Sequence, residues 1–176
     1  MNNCKWLVLR DLKRPNAKER AWQMLRDKGF EVFTPLKEQI RVAGSRKIRE
    51  RVPVLPDLLF VKAAQEDLDG IVARIPTLQY RFVRGAAFGT AMTVPDREME
   101  QFIAAVSLDP DPVYFRPDEI TPEMCGRSVR IVDGPLGGYE GVLVRVSGKR
   151  KRHVLVSIPD LLSAAIEIDS SFLQPL

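Results

Sequence analysis

Residues 52–61 read Val52-Pro53-Val54-Leu55-Pro56-Asp57-Leu58-Leu59-Phe60-Val61, and they follow a basic run from Arg41 to Arg51. Large and β-branched apolar residues without helical spacing predict a strand. Side chains alternate along a strand, so the predicted strand has two distinct faces. One face carries Val54, Pro56, Leu58 and Phe60, and the other carries Leu55, Asp57, Leu59 and Val61.

Both faces of this predicted strand are largely apolar. Pro53 and Pro56 lack a backbone donor, which favours the edge or the start of a sheet strand. An edge strand with two apolar faces needs a packing partner on each face, and each such partner is called a cover here. The domain core supplies one cover, and the other is either a partner protein or a further part of the same fold. The residues alone leave both alternatives open.

Composition indicates a folded globular protein. The chain has 176 residues, of which 45% are hydrophobic and 28% charged, enough for one large domain or two small ones. The net charge of +4 permits a phosphate-rich partner without requiring one. The only cysteines, Cys4 and Cys125, form no disulfide framework and fit a reducing cytoplasm. The apolar run near the N-terminus is too short for a signal peptide or a membrane span, so a cytoplasmic protein without membrane contact is expected.

The first part of the chain alternates strands and helices. The predicted elements are a strand at residues 6–9, a helix from Asn16 to Lys28 ended by Gly29, a strand at 30–36, a hairpin of 37–42 and 47–52, helices around 68–75 and 95–106, and a strand at 78–84 before a glycine-rich loop at 85–89. Trp6 and Phe82 are expected in the core, because large aromatic side chains are usually buried.

A change of composition marks a boundary after residue 106. Residues 107–122 are rich in proline and acid, which predicts a stiff linker. Residues 1–106 carry 19 basic and 13 acidic side chains, a net charge of +6, whereas residues 123–176 carry 7 and 6, a net charge of +1. The sequence therefore predicts two domains, at 1–106 and 123–176, with the positive charge concentrated in the first.

The last segment contains only short predicted strands. They lie at residues 128–132, 139–146, 153–158, 164–168 and 172–173, separated by turn residues. Short strands that meet turns so often indicate a small closed β-barrel. The predicted fold class is thus α+β, an antiparallel sheet with flanking helices followed by a small barrel.

Residues 126–142 read Gly126-Arg127-Ser128-Val129-Arg130-Ile131-Val132-Asp133-Gly134-Pro135-Leu136-Gly137-Gly138-Tyr139-Glu140-Gly141-Val142. Gly134 and Pro135 predict a tight turn between strands, and Gly141 permits a bend or the close approach of another backbone. The order of Gly134, Pro135, Tyr139 and Gly141 resembles the KOW motif, which implies an SH3-like barrel. KOW modules bind RNA, ribosomal proteins or other factors, so this resemblance alone does not fix a function.

Three further stretches extend the resemblance over nearly the whole chain. They are Pro56-Asp57-Leu58-Leu59-Phe60-Val61, Val94-Pro95-Asp96-Arg97-Glu98-Met99-Glu100 and Val156-Ser157-Ile158-Pro159-Asp160-Leu161-Leu162. In order and spacing the chain resembles a NusG-type transcription elongation and antitermination factor of bacteria, and it is most similar to the UpxY-like antiterminators of surface and capsular polysaccharide operons. This resemblance implies transcription regulation specific to one operon. The alternatives are a general NusG-like factor and a KOW-type ribosomal or RNA-binding protein.

The resemblance implies binding to RNA polymerase. The N-terminal domain of such factors docks an apolar surface on the clamp, bridges the DNA cleft and suppresses pausing and termination. Carried over by position, Leu58 and Phe60 are the docking side chains, and Val54 and Pro56 lie on the same predicted face. Two positions depart from the usual pattern. The family often has a glycine at the position of Asp57 and an aromatic residue at the position of Leu58. Leu68-Asp69-Gly70 also lacks the threonine-rich contact to the polymerase's other jaw.

The resemblance also implies contact with non-template DNA, the upstream duplex or nascent RNA. The candidate residues are basic and lie near the first helix or in the hairpin: Lys13, Arg14, Lys18, Arg20, Arg46, Arg49 and Arg51. Basic side chains gain affinity by neutralising phosphates without reading bases, and a solvated basic face is the alternative. The cluster from Lys149 to His153, at a predicted hairpin tip, is either a nucleic-acid contact or a solubilising loop. Through the KOW domain, a ribosomal protein or a termination factor is a further expected partner.

Catalysis is not expected. The only histidine, His153, has no acid or nucleophile near it in sequence, and neither cysteine has metal-site spacing. The chain also lacks a nucleophile elbow and a phosphate-binding glycine loop. The sequence therefore predicts a binding protein without a metal, a cofactor or an enzymatic activity.

Overall fold

The computed structural model of the protein describes residues 3–13 and 17–176. The chain divides into two compact units, Met1–Asp96 and Arg97–Leu176. Asn16, which the sequence predicts to cap the first helix, lies outside the described residues.

The first unit is built on an antiparallel sheet. Its described elements are β1 (Lys5–Asp11), α1 (Ala21–Asp27), β2 (Glu31–Phe33), β3 (Leu36–Ala43), β4 (Arg46–Pro53), β5 (Leu59–Ala63), α2 (Gln65–Arg74), β6 (Leu78–Tyr80) and β7 (Thr93–Val94). The strands β2, β5, β1 and β6 are hydrogen-bonded in that order, and β7 also pairs with β1. The two long central strands, β1 and β5, therefore form the middle of the sheet.

One face of this sheet forms the core of the first unit. Leu7 and Leu9 of β1 lie opposite Val61 and Leu59 of β5, and all four are buried. Leu25 of α1 belongs to the same buried cluster. Each such side chain stabilises the fold by roughly 1.5–3 kcal/mol when it leaves water, which explains why a seven-residue helix persists here.

Residues 52–61 do not form one continuous strand, so that prediction is wrong. The strand β4 ends at Pro53, and a turn follows in which the Leu58 N–H donates to the Leu55 carbonyl at 3.1 Å. The new strand β5 begins only at Leu59 and lies between β2 and β1, away from the sheet edge. Proline lacks the donor that a continuous ladder requires, and Pro56 stands inside the turn.

The predicted basic hairpin is confirmed. Strands β3 and β4 pair from Leu36 opposite Pro53 to Ala43 opposite Arg46, as a separate two-stranded sheet. The connecting residues are Gly44 and Ser45, and Gly44 has a φ of +63°. A two-residue hairpin turn favours glycine at this position, because a side chain there would be strained.

The second unit contains a six-stranded antiparallel sheet. Its elements are α3 (Asp96–Leu108, which begins at the boundary), β8 (Val113–Phe115), β9 (Cys125–Ile131), β10 (Glu140–Val144), β11 (His153–Ile158), β12 (Leu162–Glu167) and β13 (Leu173–Pro175), with 3-10 turns at Pro117–Glu119, Pro122–Met124 and Ser170–Phe172. The strand order is β13-β9-β10-β11-β12-β8. Among residues 97–176, all of them described, no ladder joins β8 to β13, so hydrogen bonding does not close the sheet into a ring.

The segment assigned to a linker, residues 107–122, contributes to this sheet. Val113, Tyr114 and Phe115 form β8 and pair with β12. The buried carboxylate of Asp109 accepts the Glu167 N–H at 2.8 Å, which ties the preceding chain to the same strand. Three residues that favour β-structure are therefore enough to form a strand between prolines. It is an edge strand, where a proline that lacks a backbone donor is tolerated.

The glycine-rich segment between β9 and β10 forms the predicted turn. Gly134 has a φ of +81°, and its carbonyl accepts the Gly137 N–H at 2.9 Å. The Tyr139 hydroxyl donates to the Leu155 carbonyl at 3.2 Å. A Cβ on Gly141 would lie 2.7 Å from the Tyr139 ring and 3.1 Å from the Leu155 carbonyl oxygen, so this position requires glycine.

Gly141→Ala is expected to lower the free energy of unfolding by roughly 1–3 kcal/mol, because the added methyl group overpacks a closed contact. The matched control is Gly126→Ala in the same unit, where a Cβ meets its nearest neighbour, Leu143, at an ordinary 3.5 Å. Urea unfolding of the full chain measures both. Equal losses for the two variants would contradict the assignment of Gly141 as a close approach.

Candidate functional surfaces

Leu58 and Phe60 lie in the interior, so the prediction that they point outward is wrong. Their exposed fractions are 1% and 0%. The ring centroid of Phe60 lies 6.2 Å from that of Phe33. The turn at residues 54–58 separates Val54 and Pro56 from β5, and within β5 the consecutive residues Leu59, Phe60 and Val61 are all buried, so both faces of the strand are covered. Of the four predicted docking residues, Pro56 is exposed and Val54 is half-buried.

The turn that replaces the predicted strand is anchored to a neighbouring loop. The Arg81 guanidinium Nη2 donates to the Asp57 carbonyl at 3.0 Å and to its carboxylate at 3.3 Å. Arg81 directly precedes Phe82, at the start of the glycine-rich loop. Both hydrogen bonds come from the same nitrogen and reach the same residue, and together they tie the start of this loop to the turn.

The loop that runs from Phe82 to Thr90 exposes large apolar side chains. Phe82 is 53% exposed, Val83 41%, and Phe88 is fully exposed. The loop is closed by a bridge between Phe82 and Ala91 and by the Val83 N–H, which donates to the Thr90 carbonyl at 3.0 Å. A well-formed loop that keeps phenylalanine in water is characteristic of a contact surface. We name the exposed and half-buried residues Val54, Pro56, Phe82, Val83 and Phe88 the turn–loop surface.

Phe82 was expected in the core, and that prediction is wrong, whereas the burial of Trp6 is confirmed. Trp6 lies in β1 and is paired with both β5 and β7, whereas Phe82 lies beyond the end of β6. The sequence does carry a signal for the difference, because Gly85 and Gly89 both have positive φ and mark a loop. Aromatic residues beside such a loop are candidates for exposure.

A cleft of about 670 Å³ adjoins Phe82 along the outer side of β6. Val72 and Ile75 supply apolar walls, and Arg10 and Arg81 supply positive charge. Tyr80 also lines the cleft and donates its hydroxyl to the Asp69 carboxylate at 3.0 Å. Burial and this hydrogen bond raise the pKa of Tyr80, so the phenol stays protonated and acts as a donor.

A second cleft, of about 860 Å³, joins the first helix to the basic hairpin. Its cationic lining residues are Lys18, Arg20, Arg41 and Arg51, and Trp22 contributes an apolar wall. Arg41 is paired with Glu50 at 3.7 Å. Of the predicted nucleic-acid residues, Lys18 and Arg20 therefore line one cleft together with Arg51, which is distant from them in sequence. We name it the basic cleft.

Three of the other predicted nucleic-acid residues, Lys13, Arg46 and Arg49, do not line this cleft. The Lys13 ammonium donates to the Glu19 carbonyl at 2.8 Å, and Arg14 lies outside the described residues. Arg46 and Arg49 lie nearer the tip of the hairpin, opposite Ala43 and Ile40. The hairpin therefore spreads its positive charge along its length.

The described residues provide no metal-binding cluster. No group of three or more His, Cys, Asp and Glu side chains within 3–13 and 17–176 is placed to hold a metal ion. His153 is buried, and its Nδ1 donates to the Lys151 carbonyl at 2.9 Å. Both cysteines are exposed and free. No described helix combines the length and apolar character needed to cross a membrane.

These features define a class of protein. The chain has two small antiparallel units, and the first of them presents an exposed aromatic loop and a basic cleft. Such surfaces are typical of a protein that binds a macromolecular partner. A family model described as transcription termination factor NusG matches residues 4–103. The chain therefore belongs to the NusG family, whose members are transcription elongation and antitermination factors that interact with RNA polymerase and are not enzymes. A search of curated proteins found no match.

Proposed function

We propose that this protein binds the clamp region of RNA polymerase through the turn–loop surface and suppresses pausing and termination. The observation that carries the proposal is the exposure of Phe82 and Phe88 on a closed loop within the residues that match the family. Exposed aromatic side chains on a fixed backbone are the usual anchors of protein interfaces, since they bury much area at small entropic cost. Arg81, bound to Asp57, holds the loop in place before the partner arrives.

Contact with nucleic acid is proposed for the basic cleft. Lys18 and Arg51 have no ion-pair partner within the described part of the chain, and both line the cleft with Arg20. A phosphate backbone is the ligand that neutralises such charges. Non-template DNA, the upstream duplex and nascent RNA all present this chemistry near a transcribing polymerase.

A KOW-type role is proposed for the second unit. The turn at Gly134, the close contact at Gly141 and the hydrogen bond from Tyr139 support this assignment. The partner in this role is a ribosomal protein or a termination factor. The resemblance to UpxY-like antiterminators supports operon-specific action on surface or capsular polysaccharide genes in a bacterial cytoplasm.

Transcription assays test the proposed function. Purified protein is expected to bind RNA polymerase and to increase the fraction of transcripts that pass a terminator, because a closed clamp resists release. Chromatin occupancy of a tagged copy then distinguishes the alternatives. Signal on one operon supports the specialist, and signal on all operons supports a general NusG-like factor. Co-sedimentation with ribosomes, without any binding to polymerase, would overturn the proposal in favour of a ribosomal or RNA-binding protein.

A further inference from the structure

The second unit contains a basic groove around the loop between β10 and β11. Two adjoining cavities of about 510 and 250 Å³ share Arg127, Leu143 and Arg152 in their walls. A third, of about 340 Å³, continues along residues 150–152. Among the residues that the structure describes, no acidic side chain lines the first two cavities. We name the continuous depression formed by the first two the tip groove.

Two lysines of the loop are paired with acidic side chains. The ammonium of Lys149 is hydrogen-bonded to Asp111, and that of Lys151 to Glu167. These hydrogen bonds raise the pKa of both lysines. The buried His153 donates to the Lys151 carbonyl and holds the loop from its other end. The loop between the strands is therefore built into the unit by specific contacts.

Four arginines in the tip groove remain available to a ligand. They are Arg127, Arg145, Arg150 and Arg152. Within residues 3–13 and 17–176, none of these four side chains has an ion-pair or hydrogen-bond partner. Arginine presents a planar set of donors that matches an oxyanion in bidentate fashion, and it stays charged at every physiological pH. The groove thus contains four arginine side chains whose charge no acidic side chain neutralises, next to a loop that is itself ion-paired.

We infer that the tip groove binds the phosphate backbone of a nucleic-acid strand. The inference goes beyond the proposed function, because it concerns a second site that requires neither polymerase nor the basic cleft. The strands β10 and β11 behind the groove are each hydrogen-bonded on both sides, and β13 covers Val129–Ile131 of β9, so the sheet offers an extended peptide at most the short edge at residues 125–127. Recognition is left to side chains, which suits a ligand that carries its charge at regular intervals along its backbone.

The composition of the groove also sets its selectivity. Its apolar wall is aliphatic, with Leu143 and Val146, and no Phe, Tyr or Trp side chain of residues 3–13 and 17–176 lines the first two cavities. Without aromatic rings the bases gain little from stacking. Binding is therefore independent of sequence and depends strongly on salt.

Binding of an oligonucleotide to the full chain tests this inference. The probes are oligouridine and oligothymidine of about 12 nucleotides, a length within the range of known single-strand sites. Each contact with a single-stranded phosphate contributes about 0.7 to the slope of log affinity against log salt. Arg127→Gln with Arg152→Gln is expected to reduce the slope by about 1.4 and the affinity by roughly 25-fold near 0.1 M salt. Comparison of the two probes shows whether RNA or DNA is preferred.

Two control variants separate the site from net charge and from the basic cleft. Arg97→Gln with Arg130→Gln removes the same charge from the same unit outside the groove, where Arg130 is already paired with Glu140. If these substitutions reduced the slope as much, the inference would be wrong. Lys18→Gln with Arg51→Gln disables the basic cleft, and the loss caused by the groove variant is expected to persist in that background. Absence of that loss, or equal competition by a polyglutamate peptide, would also overturn the inference.

Discussion

Phe60→Ala is expected to lower the free energy of unfolding by about 3–5 kcal/mol, the usual cost of removing a fully buried phenylalanine side chain. Phe60 is 0% exposed and lies in β5 at the centre of the sheet. Phe88→Ala makes the same chemical change at a fully exposed position and is expected to alter stability by less than about 0.5 kcal/mol. Urea unfolding of the full chain measures both variants.

This comparison decides between two roles for the stretch that includes Phe60. If Phe60 were a docking residue kept in water, both alanine variants would unfold at the same urea concentration as the parent chain. A large loss for Phe60 alone agrees with its burial. It also means that charged substitutions at Leu58 and Phe60 report on folding, so reduced polymerase binding in such variants would say nothing about the docking surface.

The parts of the fold that follow from local chemistry could be predicted from the sequence. The hairpin of β3 and β4 is one example, since Gly44 and Ser45 set the turn and thereby fix the register of all the pairs. The second helix is another, where apolar residues at helical spacing end before Pro76. In both cases the signal lies within a dozen neighbouring residues and needs no tertiary contact.

The errors arise where tertiary context decides. An apolar run with two prolines satisfies the strand pattern, yet Pro56 stands in a turn and only residues after Leu58 enter the sheet. Likewise, Val113–Phe115 becomes a strand because β12 offers an open edge, which a proline-rich composition does not reveal. A short segment adopts the secondary structure that its tertiary partner permits, and that partner is distant in sequence.

The candidate site shows the same division. Basic residues near the first helix and in the hairpin could be named from the sequence, but which of them share a cleft depends on the fold. Lys18 and Arg51 meet there, whereas Arg49 does not line it. The turn–loop surface was missed at Phe82 and Phe88, because an isolated aromatic residue is buried more often than it is exposed. The ion pair of Arg81 with Asp57, which joins the two parts of that surface, has no signal in the sequence.

Phe82→Asp with Phe88→Asp is expected to weaken binding to RNA polymerase by at least roughly 30-fold, while the free energy of unfolding stays close to that of the parent chain. A single aromatic anchor of an interface typically contributes about 2 kcal/mol, which is about 30-fold in affinity. The stated minimum therefore corresponds to the loss of one anchor, and a carboxylate in its place must also be desolvated. The matched control is Val132→Asp with Leu176→Asp, which places two acids at exposed apolar positions of the second unit. Affinity of the full chain for polymerase, measured by fluorescence anisotropy, separates the outcomes. If the two double variants bound equally well, the assignment of the turn–loop surface as the polymerase contact would be wrong.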